Sequence, residues 1–430
     1  MVHIYRPRSC TAALVAATAV AALALTACST PPAGGDSAAT TPGVTDDTIT
    51  IGTHTPLTGP AAPGYASVSA GALAYFAYVN DNGGIHGRNI NYIVKDDAYN
   101  PANTQMVVRE LVQDDQVFAI FNGLGTPPHT SVVDYLNDNG VPDLFVASGS
   151  TTWNQPEKYP YTFAFNADYV VEGAALAKYA SDEYPGQTVC VYGQDDDLGR
   201  DTIEGVELAL GAEGIADTQL YTTSNADVTA QIGAMRDAGC EINILGAIPG
   251  YAALAIGTAA RLGWSPQWFV ASIGANPSVL RQLLGEETDK DLLEGMVGAS
   301  FLPAAEGDSD WVTFFREIND EYNPTEPFDR TVLNGMSAAY LFAEALHAAG
   351  ENPTREAVVN AITSGELRGT GILPLAFSAD SHASYIGVEI SRVEKGTQQS
   401  VGRAYLVEDG SVTAVDPEPA PFVPDGIPGR

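Results

Sequence analysis

Short runs rich in β-branched and aromatic residues recur along the chain, and most are followed by ten or more residues of helical character. The runs are Thr48–His54, Ile90–Lys95, Val117–Phe121, Asp143–Ala147, Thr188–Gly193, Gln219–Thr223, Glu241–Gly246 and Gln267–Ala271. The helix starts carry caps. Asn100, Asn276 and Asn352 each precede a proline, which places a capping side chain ahead of a residue suited to the first helical turn. Asp168, Asp227 and Ser309 are further cap candidates, and Gly239 is an expected helix stop. Strand alternating with helix predicts an α/β fold with a parallel sheet covered on both faces. The string Phe145-Val146-Ala147-Ser148-Gly149 recurs as Phe269-Val270-Ala271-Ser272, with Gly274 following. The series thus runs twice, the second round starting near residue 187, which predicts two similar lobes.

The first residues break this pattern. Arg6 and Arg8 precede an apolar or small stretch, residues 11–27, which is short for a membrane span and reads as a secretory signal. Its end, Leu25-Thr26-Ala27-Cys28, resembles a bacterial lipobox, with Cys28 as the lipidated first residue of the mature protein. Residues 29–47 are rich in Ser, Thr, Pro, Gly and Ala and have little to bury, so a flexible tether is expected. No later stretch is long and apolar enough to span a membrane. The expected location is outside the cytoplasmic membrane, with the membrane reached only through lipid. Cys10 leaves with the signal. Cys190 and Cys240 remain, either as a disulfide or as two separately buried thiols.

Composition narrows the function. Hydrophobic residues make up 45% of the 430, enough for a large core, so whole-chain disorder is excluded. The formal net charge is −33, which repels phosphate backbones and argues against nucleic-acid binding. Four cysteines without zinc-ligand spacing exclude a zinc module.

Ligands of parallel α/β sheets bind beyond the carboxyl ends of the strands. Here those ends are rich in Gly, Ser and Thr, as in Gly123–Thr126, Ser148–Thr151 and Ser272–Asn276, which suits a small-molecule cleft. No GxSxG, HExxH or Walker A string is present. His54, His86, His129, His347 and His382 are scattered and read as isolated surface or loop residues. Asp195–Asp197, with Asp201 and Glu204, suggest calcium but are explained more simply by helix capping. Tyr65, Trp153 and Tyr251 fall in or near strand-end loops, where rings can wall an apolar ligand.

Several strings, in order and spacing, resemble the Leu/Ile/Val-binding family of ABC-transporter solute receptors, over roughly residues 48–415. They are Thr55-Pro56-Leu57-Thr58-Gly59-Pro60, Asn82-Gly83-Gly84-Ile85-His86-Gly87, Asp96-Asp97-Ala98-Tyr99-Asn100-Pro101, Asn139-Gly140-Val141-Pro142 and Asp196-Asp197-Leu198-Gly199. The resemblance implies the type I periplasmic-binding-protein fold: two doubly wound parallel-sheet lobes joined by three crossover strands and closing by a hinge. The crossovers are expected near Phe165–Ala167, Ser300–Pro303 and Leu373–Phe377. Lobe one would take residues 48–166 and 302–373, lobe two 167–301 and 374–416, with a C-terminal tail over 417–430.

The same resemblance implies a monomeric receptor that binds a small solute and hands it to an ABC permease and ATPase, without cofactor or catalysis. A hydroxyl for the ligand carboxylate matches Thr126, beside Leu124 and Gly125. The next loop matches Ser148, Gly149 and Ser150, which with Thr126 would hold a polar end of the ligand without an arginine. The aromatic wall falls at Tyr65. Leu198 stands where relatives often have tyrosine, Tyr251 lies near another aromatic position, and the family's lobe-one cysteine pair is replaced by Tyr99 and Gly125. The acid that pairs with a ligand ammonium falls near Ile273, and Val270–Asn276 contains no acid. The solute is therefore an amino acid, amide or carboxylate, with the balance towards one lacking an ammonium. A ligand sensor of the same fold and a secreted hydrolase are the competing functions; the hydrolase lacks a legible nucleophile and base.

Overall fold

The computed structural model describes residues 41–59, 61–285 and 292–430. The signal, the tether before residue 41 and Cys28 lie outside them. Five parallel strands form the first sheet in the order β2-β1-β3-β4-β5. They are β1 (Thr48–Thr55), β2 (Asn89–Asp96), β3 (Ile120–Phe121), β4 (Asp143–Val146) and β5 (Thr162–Ala164). Helices α1 (Ala66–Asp81), α2 (Pro101–Gln113), α3 (Thr126–Thr130) and α4 (Val133–Asp138) connect them. The chain then crosses to a second lobe. There α5 (Tyr169–Glu183), α6 (Asp197–Leu210), α7 (Thr229–Asp237), α8 (Pro249–Arg261) and α9 (Pro277–Leu284) alternate with five strands. These are β6 (Val189–Gln194), β7 (Ile215–Tyr221), β8 (Ile242–Gly246), β9 (Gln267–Val270) and β10 (Val297–Ser300). It returns to the first lobe for α10 (Asp310–Tyr322), α11 (Arg330–Ala348) and α12 (Arg355–Thr363). Finally it completes the second sheet with β11 (Gly387–Glu394), β12 (Thr397–Glu408) and β13 (Ser411–Val415).

The second sheet has the order β13-β12-β11-β10-β9-β8-β6-β7, parallel from β7 to β10 and antiparallel beyond. That antiparallel edge departs from the expected all-parallel lobe. Its cause is local: Lys395-Gly396 and Asp409-Gly410 all have positive φ, the two-residue turn that folds a strand straight back on itself. Asn100, Asp168, Asn276 and Ser309 cap their helices. Asn352 does not; Thr354 caps α12. Cys190 of β6 and Cys240, just before β8, form a disulfide with Cα atoms 5.7 Å apart.

Four chain segments pass between the lobes, and the first three bond to each other. Ser384 Oγ donates to the carbonyls of Phe165 (2.7 Å) and Asn166 (3.1 Å), and Ile372 N donates to Phe301 O (3.1 Å). Phe301 stacks on Tyr385 and takes Phe165 edge-on. The third pass is not a strand over Leu373–Phe377. Pro374 has no N–H, and Ala376 N donates to Ser384 O (2.6 Å), so the segment folds back on itself before reaching β11. A fourth pass follows β13. Glu418 N and Ala420 N donate to Ile372 O and Gly371 O, Ile427 is buried, and Tyr75 OH donates to Gly426 O (2.8 Å).

Two helix crossings fix the faces towards the cleft. On α1 and α11, a Cβ on Gly71 would overlap the Val332 carbonyl, and one on Gly335 the Val68 carbonyl. In the second lobe Gly173 and Gly205 meet Thr202 O and Val170 O the same way on α5 and α6. Backbones approach this closely only where the residue facing the partner's carbonyl lacks a side chain. Gly335→Ala should therefore cost about 1–3 kcal/mol through overpacking. Gly233→Ala on α7, where nothing lies within 4 Å of an added Cβ, should instead gain up to about 1 kcal/mol of helix propensity. Urea unfolding of both variants measures the contrast; equal effects would contradict the close crossing.

Candidate functional site

A partly open cavity, with about 60 Å³ of room for the centre of a water-sized sphere, lies between the lobes. The first lobe supplies Gly64, Tyr65 and Val68 at the start of α1, Leu124 and Ala147 beyond β3 and β4, and Arg330, Thr331 and Asn334 in the first turns of α11. The second lobe supplies Pro249 of α8, with Ser272, Ile273 and Asn276 beyond β9. The crossing segments supply Asn166, Ser300, Phe301 and Leu302. The wall is thus apolar over much of its area, with amides, hydroxyls and one charged side chain, Arg330.

Three of the residues expected from sequence are on this wall: Tyr65, Leu124 and Ile273. The others are close by but engaged elsewhere. Thr126 and Ser148 are buried and bonded to each other (Oγ1···Oγ 2.8 Å), and both face Tyr169 OH, at 3.3 and 3.5 Å. Gly125 has φ +103 and lies under the Tyr99 ring. Gly149 O accepts from Tyr169 N. Ser150 Oγ reaches across to Asp197 Oδ2 (2.8 Å). Leu198 is in the second lobe's core, and Tyr251 stacks on Tyr221 with centroids 4.2 Å apart.

One charged side chain not expected from sequence, Arg330, stands on the cavity wall. Its Nη2 donates to Ala299 O (2.7 Å) and its Nη1 to Gln398 Oε1 (3.2 Å). Burial lowers its pKa, opposed through space by Glu172, Glu306 and Asp329. Sequence reading passed over it because only α11's packing on α1 brings residue 330 to residue 65. One signal was available: a cation directly after the Asp329 cap is at the wrong end of a helix.

The strand-end turn after β9 has an acid after all, delivered from α5. Glu172 is fully buried and accepts from Ser272 N and Ser272 Oγ, both at 2.5 Å. Burial is the largest influence and pushes this carboxyl up to about 7, against the lowering effect of the Ser272 bonds and Arg330. Two polar atoms of the wall residues are buried without a partner, Tyr65 OH and Asn166 Oδ1. Asn276 Nδ2, from the second lobe, donates to Asp329 Oδ2 (2.8 Å) and Thr331 Oγ1 (3.1 Å) of the first.

Two of the histidines read as isolated are neither exposed nor alone. His54 and His129 are fully buried, and His54 Nε2 lies 2.9 Å from His129 Nδ1. Asp97 holds the outer nitrogen of one and Asp143 that of the other, each at 2.8 Å. His382 is also buried, its Nδ1 2.8 Å from Thr162 O. Strands β1 and β4, helix α3 and the turn after β2 bring His54, His129, Asp97 and Asp143 together from distant parts of the sequence. Gly123, next to Leu124 of the wall, covers the His54–His129 pair; a Cβ there would lie 2.6 Å from His54 Nε2.

Glu172 generates a pH-dependent prediction. Its folded-state pKa, about 7, is above the ordinary carboxyl value, so the folded state holds the proton more tightly. The corresponding stability is complete below about pH 4.5 and is lost as pH rises through 7. Glu172→Gln removes this component. The melting temperature of the variant minus that of the wild type should therefore rise between pH 5 and pH 8. A difference independent of pH would show that Glu172 does not titrate there.

Residues 48–398 match the sequence model of the periplasmic binding protein family. The chain is 26% identical over 314 residues to Leu/Ile/Val-binding protein homolog 1 of Brucella abortus, covering 72% of this chain and 80% of that protein. It is 25% identical over 314 residues to the leucine-, isoleucine-, valine-, threonine- and alanine-binding protein of Pseudomonas aeruginosa, covering 71% and 79%. A crystal structure of a branched-chain amino acid ABC transporter protein from Thermus thermophilus with bound valine superposes with a TM-score of 0.74 at 25% identity, over 83% of this chain and 96% of that one. With a two-lobed α/β fold, a cavity between the lobes and a family match over most of its length, the chain belongs to the periplasmic binding protein family.

Proposed function

We propose that the protein is the extracytoplasmic solute receptor of an ABC importer, anchored by lipid on Cys28, and that it works as a monomer. It takes a small amino acid, amide or carboxylate into the cleft by hinge closure and presents it to a permease and ATPase. The observation that carries this reading is the cavity itself, whose wall is divided between both lobes and the segments that join them. A ligand there touches both lobes at once and so favours the closed form. Bonds at the rim support closure. Ser150 Oγ and Thr152 Oγ1 donate to Asp197, and Thr151 N and Oγ1 to Asp201, from the first lobe to the second. The relatives' names point to branched-chain amino acids as one solute class.

A thermal-shift screen against amino acids, amides and small carboxylates tests the receptor role. A solute at about 100 times its Kd should add about 2.7 kcal/mol of stability, and small-angle scattering should show a smaller radius of gyration. Asp197→Ala combined with Asp201→Ala should weaken that solute several-fold, since each lost rim bond is worth about 1 kcal/mol to the closed form. Failure of every compound in the screen would reject the reading. The anchor is tested separately: Cys28→Ala should release the protein into the medium or block its processing, and unchanged membrane retention would refute it.

A further inference from the structure

We infer that the solute is an apolar monocarboxylate without an ammonium group, its carboxylate held by Arg330. This rests on the receptor reading above and names the ligand class of that cleft. Arg330 is half-buried at the cavity wall, and its hydrogen bonds go to two neutral acceptors, Ala299 O and Gln398 Oε1. Among the described residues no carboxylate lies within 4 Å of the guanidinium. Two of its five N–H donors are accounted for in this way, so it can still hold an anion.

Its position strengthens the argument. Arg330 is the first residue of α11, a helix of 19 residues. A cation there opposes the helix dipole, whereas an anion arriving at the same place meets both the dipole and the guanidinium favourably. Asp329 does not serve as that anion. Its Oδ1 caps Thr331 N and Val332 N, and its Oδ2 accepts from Asn276.

An ammonium finds no opposite charge among the described wall residues. No carboxylate is on the wall. Glu172 has both oxygens engaged by Ser272, and Glu306 acts on Arg330 only through space. A zwitterionic amino acid would bring its ammonium into a cavity whose one charged wall residue is already a cation, and desolvating an unpaired charge is costly. Val68, Leu124, Ala147, Ile273, Phe301 and Leu302 give the remainder of the wall its hydrocarbon character, which suits an aliphatic or aromatic body. The unpartnered Asn166 Oδ1 accepts one donor, such as a hydroxyl on that body. The chain's −33 net charge does not exclude a monoanion, because repulsion from distant surface charge is screened beyond about 10 Å at ordinary salt.

Calorimetry on the full-length wild type tests this with matched sets: straight and branched aliphatic acids of four to eight carbons, benzoate and phenylacetate, their amides, and leucine, valine and phenylalanine. The expected result is an acid that binds at least tenfold tighter than its own amide and tighter than the free amino acids. Arg330→Gln should abolish the acid-over-amide preference, and Arg330→Lys, which keeps the charge but loses the planar fork, should retain part of it. The wild-type comparison stands even if a variant folds poorly. Tighter binding of a free amino acid, or equal binding of acid and amide, would overturn the inference while leaving the receptor reading intact. Absence of binding by any compound would instead overturn the receptor reading and this inference with it.

Discussion

The crossing of α1 on α11 is the constraint on which the site depends. Gly71 and Gly335 let the two backbones meet, and nothing larger fits at either place. Because the helices cross so closely, their N-terminal ends reach the cleft together, with Tyr65 on one and Arg330, Thr331 and Asn334 on the other. These residues are more than 260 positions apart in sequence, yet Thr331 Oγ1 donates to Gly64 O (3.4 Å). The second lobe repeats the device with Gly173 and Gly205, which set Asp168, Tyr169 and Glu172 of α5 against the start of α6. The first lobe therefore presents the cleft with a locked pair of helix starts, whereas the second lobe presents the start of α8 and the turn after β9.

Beneath the first lobe's strand ends lies a second rigid element. Asp97, His54, His129 and Asp143 form a continuous buried chain of hydrogen bonds. Thr104 Oγ1 bonds Asp97 and Thr162 Oγ1 bonds Asp143, so the outer carboxylates are themselves held in place. Burial lowers the pKa of His54, the largest influence on it, which favours the neutral ring needed for a donor–acceptor relay between two imidazoles. This chain ties β1, α2, α3, β4 and β5 together under the Gly123–Leu124 turn. Tyr99 and Gly125 touch, the ring resting on the glycine. Packing and a buried polar network thus stiffen the loop without a covalent link.

Much of the architecture was legible because it is local. The β/α alternation, the caps at Asn100, Asp168, Asn276 and Ser309, and the recurrence of Phe-Val-Ala-Ser all express interactions within a few residues. The antiparallel edge is legible in Asp409-Gly410, a strong hairpin signal, although it falls outside the strand–helix alternation of the rest of the chain. The site was less legible for a physical reason. Sequence reading places residues at strand ends, but which way a side chain turns depends on its neighbours in space. Thr126 and Ser148 are where the strand-end argument put them, yet their hydroxyls face Tyr169. Arg330 is at a helix start that becomes part of the wall only through the glycine crossing.

Glu172 shows how the chemistry of such a site can shift without losing its acid. A carboxylate on the wall would offer its charge to a ligand. A carboxylate beneath the wall, accepting from Ser272 N and Oγ, orients the turn that carries Ile273 and has no oxygen left for a ligand ammonium. Burial raises its pKa, so its charge is weak at neutral pH and its structural role dominates. The wall is left with Arg330 as its one charged side chain, at the end of a helix that also favours anions. With the negative charge behind the backbone and the positive charge on the wall, the cleft is electrostatically suited to an anionic group, and this preference comes from side-chain placement within an unchanged α/β frame.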